Sequence, residues 1–386
     1  MVHYHRLLDI GLPPGQSAFL WGARKVGKTT FLKERFPESL FLDFLQTDLF
    51  LDLSKRPSLL RERLQAADPV RLEHPVILDE VQKVPGILDE VHWLIENRGV
   101  RFLMCGSSAR KLKRGQANLL GGRAWRYEMR PLVSAEVENL DLLRALNNGL
   151  IPSHYREEDA RRSLRAYVGD YLKEEVFAEG LIRNIPAFSR FFDALGYSHG
   201  ELTNYSSIAR DCGVDAKTVR EYYTILVDTL VGNFVEPFAR RSNRQVITRT
   251  PKFYLFDVGV AGALTGRRIE QQRGEDFGRA LEHLIFMELA AHSRYRELHY
   301  PIRFWRTKTG AEVDFVLGDG EVAIEVKGSD RVERKHLRGL MAFTESFHPK
   351  TSIVVCTEPE ERVVEGITIM PWRRFLHRLW NGSIIT

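Results

Sequence analysis

The segment Gly22-Ala23-Arg24-Lys25-Val26-Gly27-Lys28-Thr29 fits the pattern GxxxxGK[ST] at every fixed position. It follows an apolar run, Gln16–Trp21, that reads as a buried strand, and it opens a stretch, Thr29–Phe36, that reads as a helix stopped by Pro37. A loop of this composition between a strand and a helix leaves the fold few options. Its glycines let successive backbone N–H groups turn inward around an anion at a helix N-terminus, which selects a phosphate group. Residues Gly22, Ala23, Arg24, Lys25, Val26, Gly27, Lys28, Thr29 and Thr30 are therefore the expected nucleotide contacts. Lys28 is the point charge for the β- and γ-phosphate oxygens and the Thr29 hydroxyl an Mg2+ ligand. ATP and Mg2+ are the cofactors this implies.

A strand-loop-helix of this kind needs neighbours in a parallel sheet. They are legible as Leu40–Phe44, Pro75–Leu78 and Arg101–Cys105, with helical stretches at Ser58–Ala67 and Gly86–Glu96 between them. The third strand, Val76-Ile77-Leu78, runs into Asp79 and Glu80. That spacing delivers Asp79 to the metal and Glu80 to the attacking water, which needs a carboxylate beside the γ-phosphate. The fourth ends in Gly106-Ser107-Ser108, where a serine, Ser107 first, would sense the γ-phosphate; strand-end serines also serve as simple helix caps. Arg123, in Leu119-Leu120-Gly121-Gly122-Arg123, is the candidate arginine finger for a neighbouring subunit, with Arg110 and Arg126 as competitors and a surface ion pair as the plainer reading.

Hydrophobic residues make up 44% and charged residues 28% of the chain, the balance of an ordinary globular protein. No run of about 18 apolar residues suggests a membrane span, and the first residues lack the layout of a secretory leader. Cys105, Cys212 and Cys356 are too scattered for a disulfide framework or zinc site. A cytoplasmic setting without membrane contact is expected. The net charge of +5 is compatible with a polyanionic partner.

The segments WGARKVGKTTFLK, VILDEVQKVPGIL, GSSARKL and LLGGR resemble the prokaryotic AAA+-type ATPases of the AAA_14 family. The later segments PKFYLFDVGVAGAL, LEHLIFMEL, FWRTKTGAEVDFVL and AIEVKGS resemble the DUF4143 partner domain that follows it in such proteins. The expected fold is α/β: a P-loop NTPase core with a parallel sheet over residues 1–132 and a helical lid over 133–196. A winged helix-turn-helix over 197–248 and an α/β nuclease-like domain over 249–386 complete it. The winged helix is read from helices at Ser206–Cys212 and Ala216–Leu230, separated by Gly213 and capped by Asp215. Its second helix offers Lys217, Arg220 and Tyr223, and Arg240, Arg241, Arg244, Arg249 and Lys252 follow as a basic wing. Lys217, Arg220, Arg240, Arg241 and Arg244 are the candidate DNA contacts.

In the last domain a long helix, Phe277–His292, carries Glu282. A tight turn at Gly318-Asp319-Gly320 joins the strand holding Asp314 to the strand holding Glu325 and Lys327. Paired across that hairpin, Asp314 and Glu325 face each other, and Glu325 and Lys327 share one side of their strand. The set Glu282, Asp314, Glu325 and Lys327 resembles the PD-(D/E)xK nuclease superfamily, with Val313 where a proline is common. That resemblance implies a second Mg2+ or Mn2+ site and metal-dependent cleavage, with Glu325 and Lys327 catalytic. The whole-chain expectation is an ATP-hydrolysing homo-oligomer, for which the resemblance implies a hexameric ring, acting on branched or other DNA. The alternative is a nucleotide-controlled switch or scaffold with an inert nuclease-like domain.

Overall fold

Three strands of the amino-terminal part, β1 (Ser17–Trp21), β3 (Val76–Asp79) and β4 (Phe102–Gly106), are buried along their whole length. Strands covered on both faces read as unbroken apolar runs, and these do. With β2 (Phe41–Asp43) and β5 (Ala124–Glu128) they form a sheet of order β2-β3-β4-β1-β5. Every neighbouring pair in it is parallel, with Trp21 opposite Gly106 and Asp43 opposite Asp79. The helices α1 (Lys28–Arg35), α2 (Thr47–Lys55), α3 (Leu59–Gln65) and α4 (Ile87–Arg98) connect the first four strands. In α4 the apolar residues Leu88, Val91 and Leu94 recur every three residues and are buried. Gly99, left-handed at φ 63, ends that helix by donating its N–H to Ile95 and Leu94. The fold is α/β with a parallel P-loop core.

The computed structural model describes residues 4–108, 120–172, 184–240, 246 and 249–386. Its chain divides into two units: Leu8–Pro131 with Asp228–Val231, and Met1–Leu7 with Leu132–Val227 and Gly232–Thr386. The second unit is built on an eight-stranded sheet of order β12-β13-β11-β10-β9-β8-β6-β7. Its strands are β6 (Gly232–Pro237), β7 (Lys252–Leu255), β8 (Ile302–Arg306), β9 (Glu312–Leu317), β10 (Val322–Val326), β11 (Thr351–Cys356), β12 (Arg362–Val364) and β13 (Ile367–Pro371). The β9–β10 hairpin turns through Gly318 and Gly320, at φ 62 and 93.

This sheet corrects the expected partition. β6 follows the helix-turn-helix, yet it pairs in parallel with β8 while β7 pairs antiparallel to it. The wing and the nuclease-like domain therefore share one sheet, and no unit boundary falls at 196 or 248. The expected lid is likewise drawn into the second unit. Leu142 and Leu146, on the helix Leu142–Asn148, share an apolar core with Leu281 and Leu284 of the helix Glu275–Tyr295. Polar clamps fix the same segment. Ser134 donates its N–H and hydroxyl to the buried Glu288 carboxylate at 2.6 and 3.0 Å, and the Trp380 indole donates to it at 2.6 Å. Leu150 N–H donates to buried Asp257 at 2.7 Å, and Arg6 pairs with Glu136 at 3.0 Å. Further along the expected lid the chain forms the helix Arg161–Ala166 followed by a wider π turn, Tyr167–Leu172.

The helix-turn-helix itself matches its local signals. Asn204 caps the helix Tyr205–Cys212, Gly213 ends it at φ 68, and Asp215 accepts the Thr218 N–H at 2.7 Å to start Ala216–Asp228. Beside it half-buried His199 and buried His283 close a ring on β7. Leu255 N–H donates to His199 Nδ1 at 3.2 Å, so His199 carries its proton on Nε2 and donates to His283 Nδ1 at 2.9 Å. His283 Nε2 in turn donates to Leu255 O at 2.7 Å. The ring requires both imidazoles to be neutral, and burial lowers His283 to about 3 and His199 well below its ordinary value.

A depressed histidine pKa stabilises the fold above the unfolded value of 6.5 and loses that contribution as pH falls towards the folded one. Between pH 7 and 4.5 the stability advantage of the native chain over His283→Gln should shrink by about 2–3 kcal/mol, read from denaturant midpoints. A pH-independent difference would refute the neutral ring. Packing gives a second test. A Cβ on Gly339, in the helix Arg338–Phe347, would lie 1.8 Å from the Glu312 carbonyl oxygen. Gly339→Ala should cost about 1–3 kcal/mol in the same measurement, because the helix must lift off β9.

Candidate functional site

The carboxyl ends of β1, β3 and β4 meet at one edge of the parallel sheet. Gly22 leaves β1 where a Cβ would come within 2.4 Å of the Met129 carbonyl oxygen, so this position has no room for a side chain. Gly27 takes φ 98 and turns the chain into α1. Lys28 is buried and its ammonium donates to the carbonyls of Gly22 at 2.7 Å and Ala23 at 3.0 Å, which fixes its position inside the loop. Lys25 is exposed and left-handed at φ 62, Arg24 and Thr29 are half-buried, and Thr30 is exposed.

Thr29 on α1 donates its hydroxyl to Asp79 Oδ2 at the end of β3, at 2.6 Å. A hydroxyl and a carboxylate oxygen brought this close form a hard-oxygen donor pair that fits Mg2+, an ion that takes few protein ligands and keeps its remaining positions for water and phosphate. Glu80 follows in a left-handed conformation, φ 57 and ψ 41, uncommon for a residue with a side chain. Burial raises its carboxyl above the ordinary range, against the opposing charges of Lys28 and Arg24.

Gln82 was not singled out by the sequence reading, yet it organises this corner. Its amide nitrogen lies 2.5 Å from Glu80 Oε2 and 3.1 Å from the hydroxyl of buried Ser107. One side chain thus ties the ends of β3 and β4 together. Gly106 makes room for it, because a Cβ there would sit 2.3 Å from Gln82 Oε1. The available signal was a lone amide in the apolar segment after the acid pair.

The arginine positions are less convergent. Arg123 pairs through Nε with Glu96 of α4 at the surface, both side chains being partly exposed. Arg126 is exposed on β5, and Arg110 lies outside the described residues.

In the second unit the structure gathers Glu282, Asp314, Glu325 and Lys327 and adds Lys252, Tyr254, Arg306 and Glu312, which the motif reading did not place among them. Lys252 at the start of β7 lies 3.4 Å from Glu282, 2.7 Å from Glu312 and 4.0 Å from Asp314. Lys327 contacts Glu325 at 2.5 Å, and Arg306 pairs with Glu312 at 3.4 Å. Asp314 also accepts the Val326 N–H at 2.8 Å, and the Tyr254 hydroxyl donates to Glu282. Burial, then the Glu325 and Glu282 charges, raises the Asp314 carboxyl well above its ordinary range. Burial pushes Glu325 up to about 7 against the pull of Lys327. For Lys252, burial acts to lower the pKa, and the carboxylates, Glu282 first, more than reverse it. Two expectations are corrected here. Lys252 is 4% exposed and directed into the acids, so it is no part of a phosphate-facing wing. Among the described residues no three His, Cys, Asp or Glu side chains are arranged to hold a metal ion, so a second Mg2+ or Mn2+ site at Glu282, Asp314 and Glu325 is not supported.

Of the candidate DNA contacts, Lys217 and Arg220 are exposed on the second helix of the helix-turn-helix, with Arg220 over the Tyr205 ring at 5.0 Å. Tyr223 is 1% exposed within an aromatic cluster of Phe191, Phe234 and Phe253, so it is core. Arg240 is exposed and donates to Asp319 O at 2.8 Å, while Arg241 and Arg244 lie outside the described residues. Among the described residues no helix is long and apolar enough to cross a membrane.

Three known families match successive segments of this chain. Residues 15–138 match the family described as AAA domain, AAA_14. Residues 139–271 match a domain of unknown function, DUF8612, and residues 277–375 another, DUF4143. The DUF8612 match runs through both the expected lid and the helix-turn-helix, as the second unit does. An uncharacterized protein of Methanocaldococcus jannaschii is 23% identical over 83% of this chain and 77% of its own length. The Orc1 protein of Aeropyrum pernix, solved in complex with DNA, superposes loosely: 13% identity, 65% of this chain, 86% of that one and a TM-score of 0.26. The AAA-domain match covers the parallel sheet that carries the phosphate loop and acid pair at its carboxyl edge, and the DUF4143 match follows it, so residues 15–138 are similar to an AAA domain with a P-loop core.

Proposed function

We propose that this protein is a Mg2+-dependent ATPase whose hydrolytic cycle is coupled to engagement of DNA by its second unit. The observation that carries the ATPase reading is the contact of Thr29 with Asp79, beside the buried Lys28 ammonium and the Glu80 carboxylate. The loop N–H groups of Gly22–Thr29 cradle the phosphates, and Lys28 places its charge against the β- and γ-oxygens. Mg2+, held by Thr29 and through Asp79, supplies charge neutralisation at those oxygens when bound. Glu80 takes the proton of the attacking water, a role its raised pKa favours, because a stronger base accepts a proton more readily. Gln82 positions that carboxylate relative to Ser107, which orients the γ-phosphate.

Arg123 exchanges its surface partner Glu96 for the phosphates of a neighbouring subunit in a homo-oligomeric ring, hexameric by analogy with AAA+ proteins. Its exposure and its location on the loop before β5 support this role. Exposed Lys217 and Arg220, at the start of the second helix of a helix-turn-helix, support DNA as the partner, with Arg240 on the chain beyond β6.

Lys28→Ala should abolish measurable ATP binding, whereas Glu80→Gln should keep it and lower hydrolysis about 10²–10⁴-fold. Normal turnover in either variant removes the site assignment. For the DNA reading, the double change Lys217→Ala with Arg220→Ala should reduce the slope of log affinity against log salt by about 2 for duplex DNA. ATPase turnover that no single-stranded, duplex or junction DNA alters, together with an unchanged slope, would exclude this coupling.

A further inference from the structure

We propose that Lys252 is the resident counter-ion of the carboxylate cluster in the second unit, and that its ammonium occupies the position a divalent metal ion would need. The inference concerns the second unit alone and does not depend on the ATPase reading.

The geometry makes the case. Glu282 comes from the helix Glu275–Tyr295, Glu312 and Asp314 from β9, and Lys252 from β7, and the ammonium lies 3.4, 2.7 and 4.0 Å from their respective oxygens. Two of these acids, Glu282 and Asp314, belong to the set expected to hold a metal, and a cation already stands between them. An ion of charge +2 in that space would face an ammonium at van der Waals distance in a poorly hydrated interior, where like charges repel most strongly.

The other cations leave little unmatched acid. Lys327 is engaged with Glu325 and Arg306 with Glu312. Three cations thus already face the four carboxylates Glu282, Glu312, Asp314 and Glu325. Formally the cluster carries −1 with these cations in place, so it has no charge deficit that calls for a divalent ion, which would leave it at +1.

Lys252 also has no easy way out. Its backbone is paired with Val235 of β6 and bridged to Leu202, its ammonium lies 5.6 Å from the centre of the Phe304 ring, and the residue is 4% exposed. A lysine at a strand end on the surface could swing into water when a metal arrives. This one has its backbone held by ladder pairing to β6 on one side and by the bridge to Leu202 on the other. The cluster therefore joins β7, β9 and the long helix through charge, without metal, and the chemistry of metal-activated phosphodiester cleavage is closed to it.

The test uses the full-length chain without nucleotide, carrying Asp79→Asn so that the phosphate-loop acid contributes nothing, and follows Mn2+ binding by the electron paramagnetic resonance of the free ion. With Lys252 intact, no site tighter than millimolar is expected. Adding Lys252→Met should create one Mn2+ site, tighter by at least roughly tenfold, and Asp314→Asn should abolish it again. Mn2+ binding to the chain with native Lys252 that Asp314→Asn removes would overturn the proposal. A Lys252→Met chain with native circular dichroism that gains no site would overturn it equally. Should Lys252→Met fail to fold, the native-lysine chain decides: no site supports the proposal, and an Asp314-dependent site overturns it.

Discussion

A parallel sheet presents all its carboxyl ends at one edge, and the first unit is organised around that constraint. Because β1 and β3 both run towards the same edge, the loop leaving one and the acid ending the other meet, and the Thr29 hydroxyl reaches Asp79 at 2.6 Å. β4 lies between them in the sheet, so Ser107 emerges at the same corner. Lys28, Asp79, Glu80, Gln82 and Ser107 are all buried there. Burying so many polar groups is tolerable only when they satisfy one another. Most do so, through the Lys28 bonds to the loop carbonyls, the Thr29–Asp79 contact and the Gln82 bridge, while the buried Gln82 Oε1 has no hydrogen-bond partner among the described residues.

The second unit solves a different problem. Its mixed sheet has parallel and antiparallel neighbours, and its elements come from distant parts of the chain, so local signals do not specify their assembly. Buried charges and polar clamps tie them. Glu288 receives Ser134 and Trp380, Asp257 receives Leu150 and caps the helix Val258–Thr265, and Glu136 receives Arg6. Removing one partner of such a pair leaves a buried charge uncompensated, which costs more than the pair itself contributes. The clamps thus penalise misassembly, and this is why residues 132–150 belong with the carboxyl-terminal sheet rather than forming a separate lid.

Strands β1 to β4, the phosphate loop, the acid pair, the helix-turn-helix and the Gly318–Gly320 hairpin are all local patterns legible in the sequence, whereas β5, with its exposed Trp125 and Arg126, was not legible as a strand. What escaped the sequence depends on contacts between remote residues. The pairing of β6 with β8 leaves no local trace, so the wing looked like a domain of its own. Tyr223 sits on a helix whose polar neighbours are exposed, and only the tertiary aromatic cluster shows it to be core. Gln82 is two residues from Glu80, yet its role requires Ser107 from another strand. Lys252 is the sharpest case. Next to a run of arginines it reads as one more basic residue, and its meaning changes only when β7 lies beside β9.

The two acidic sites therefore differ in kind, although both place aspartate at or near a strand terminus. Asp79 meets a neutral hydroxyl, which contributes an oxygen and no charge, and the carboxylate keeps its full attraction for a cation. Asp314 meets an ammonium and a backbone N–H in a buried setting, and both Glu325 and Glu282 raise its pKa further. A carboxylate already matched by a fixed cation has little left to offer a mobile one, since the mobile ion must outbid a partner that is tethered to the chain. The identity of the neighbour, hydroxyl in one unit and lysine in the other, thus separates a site suited to a metal-bound nucleotide from one held closed by its own chain.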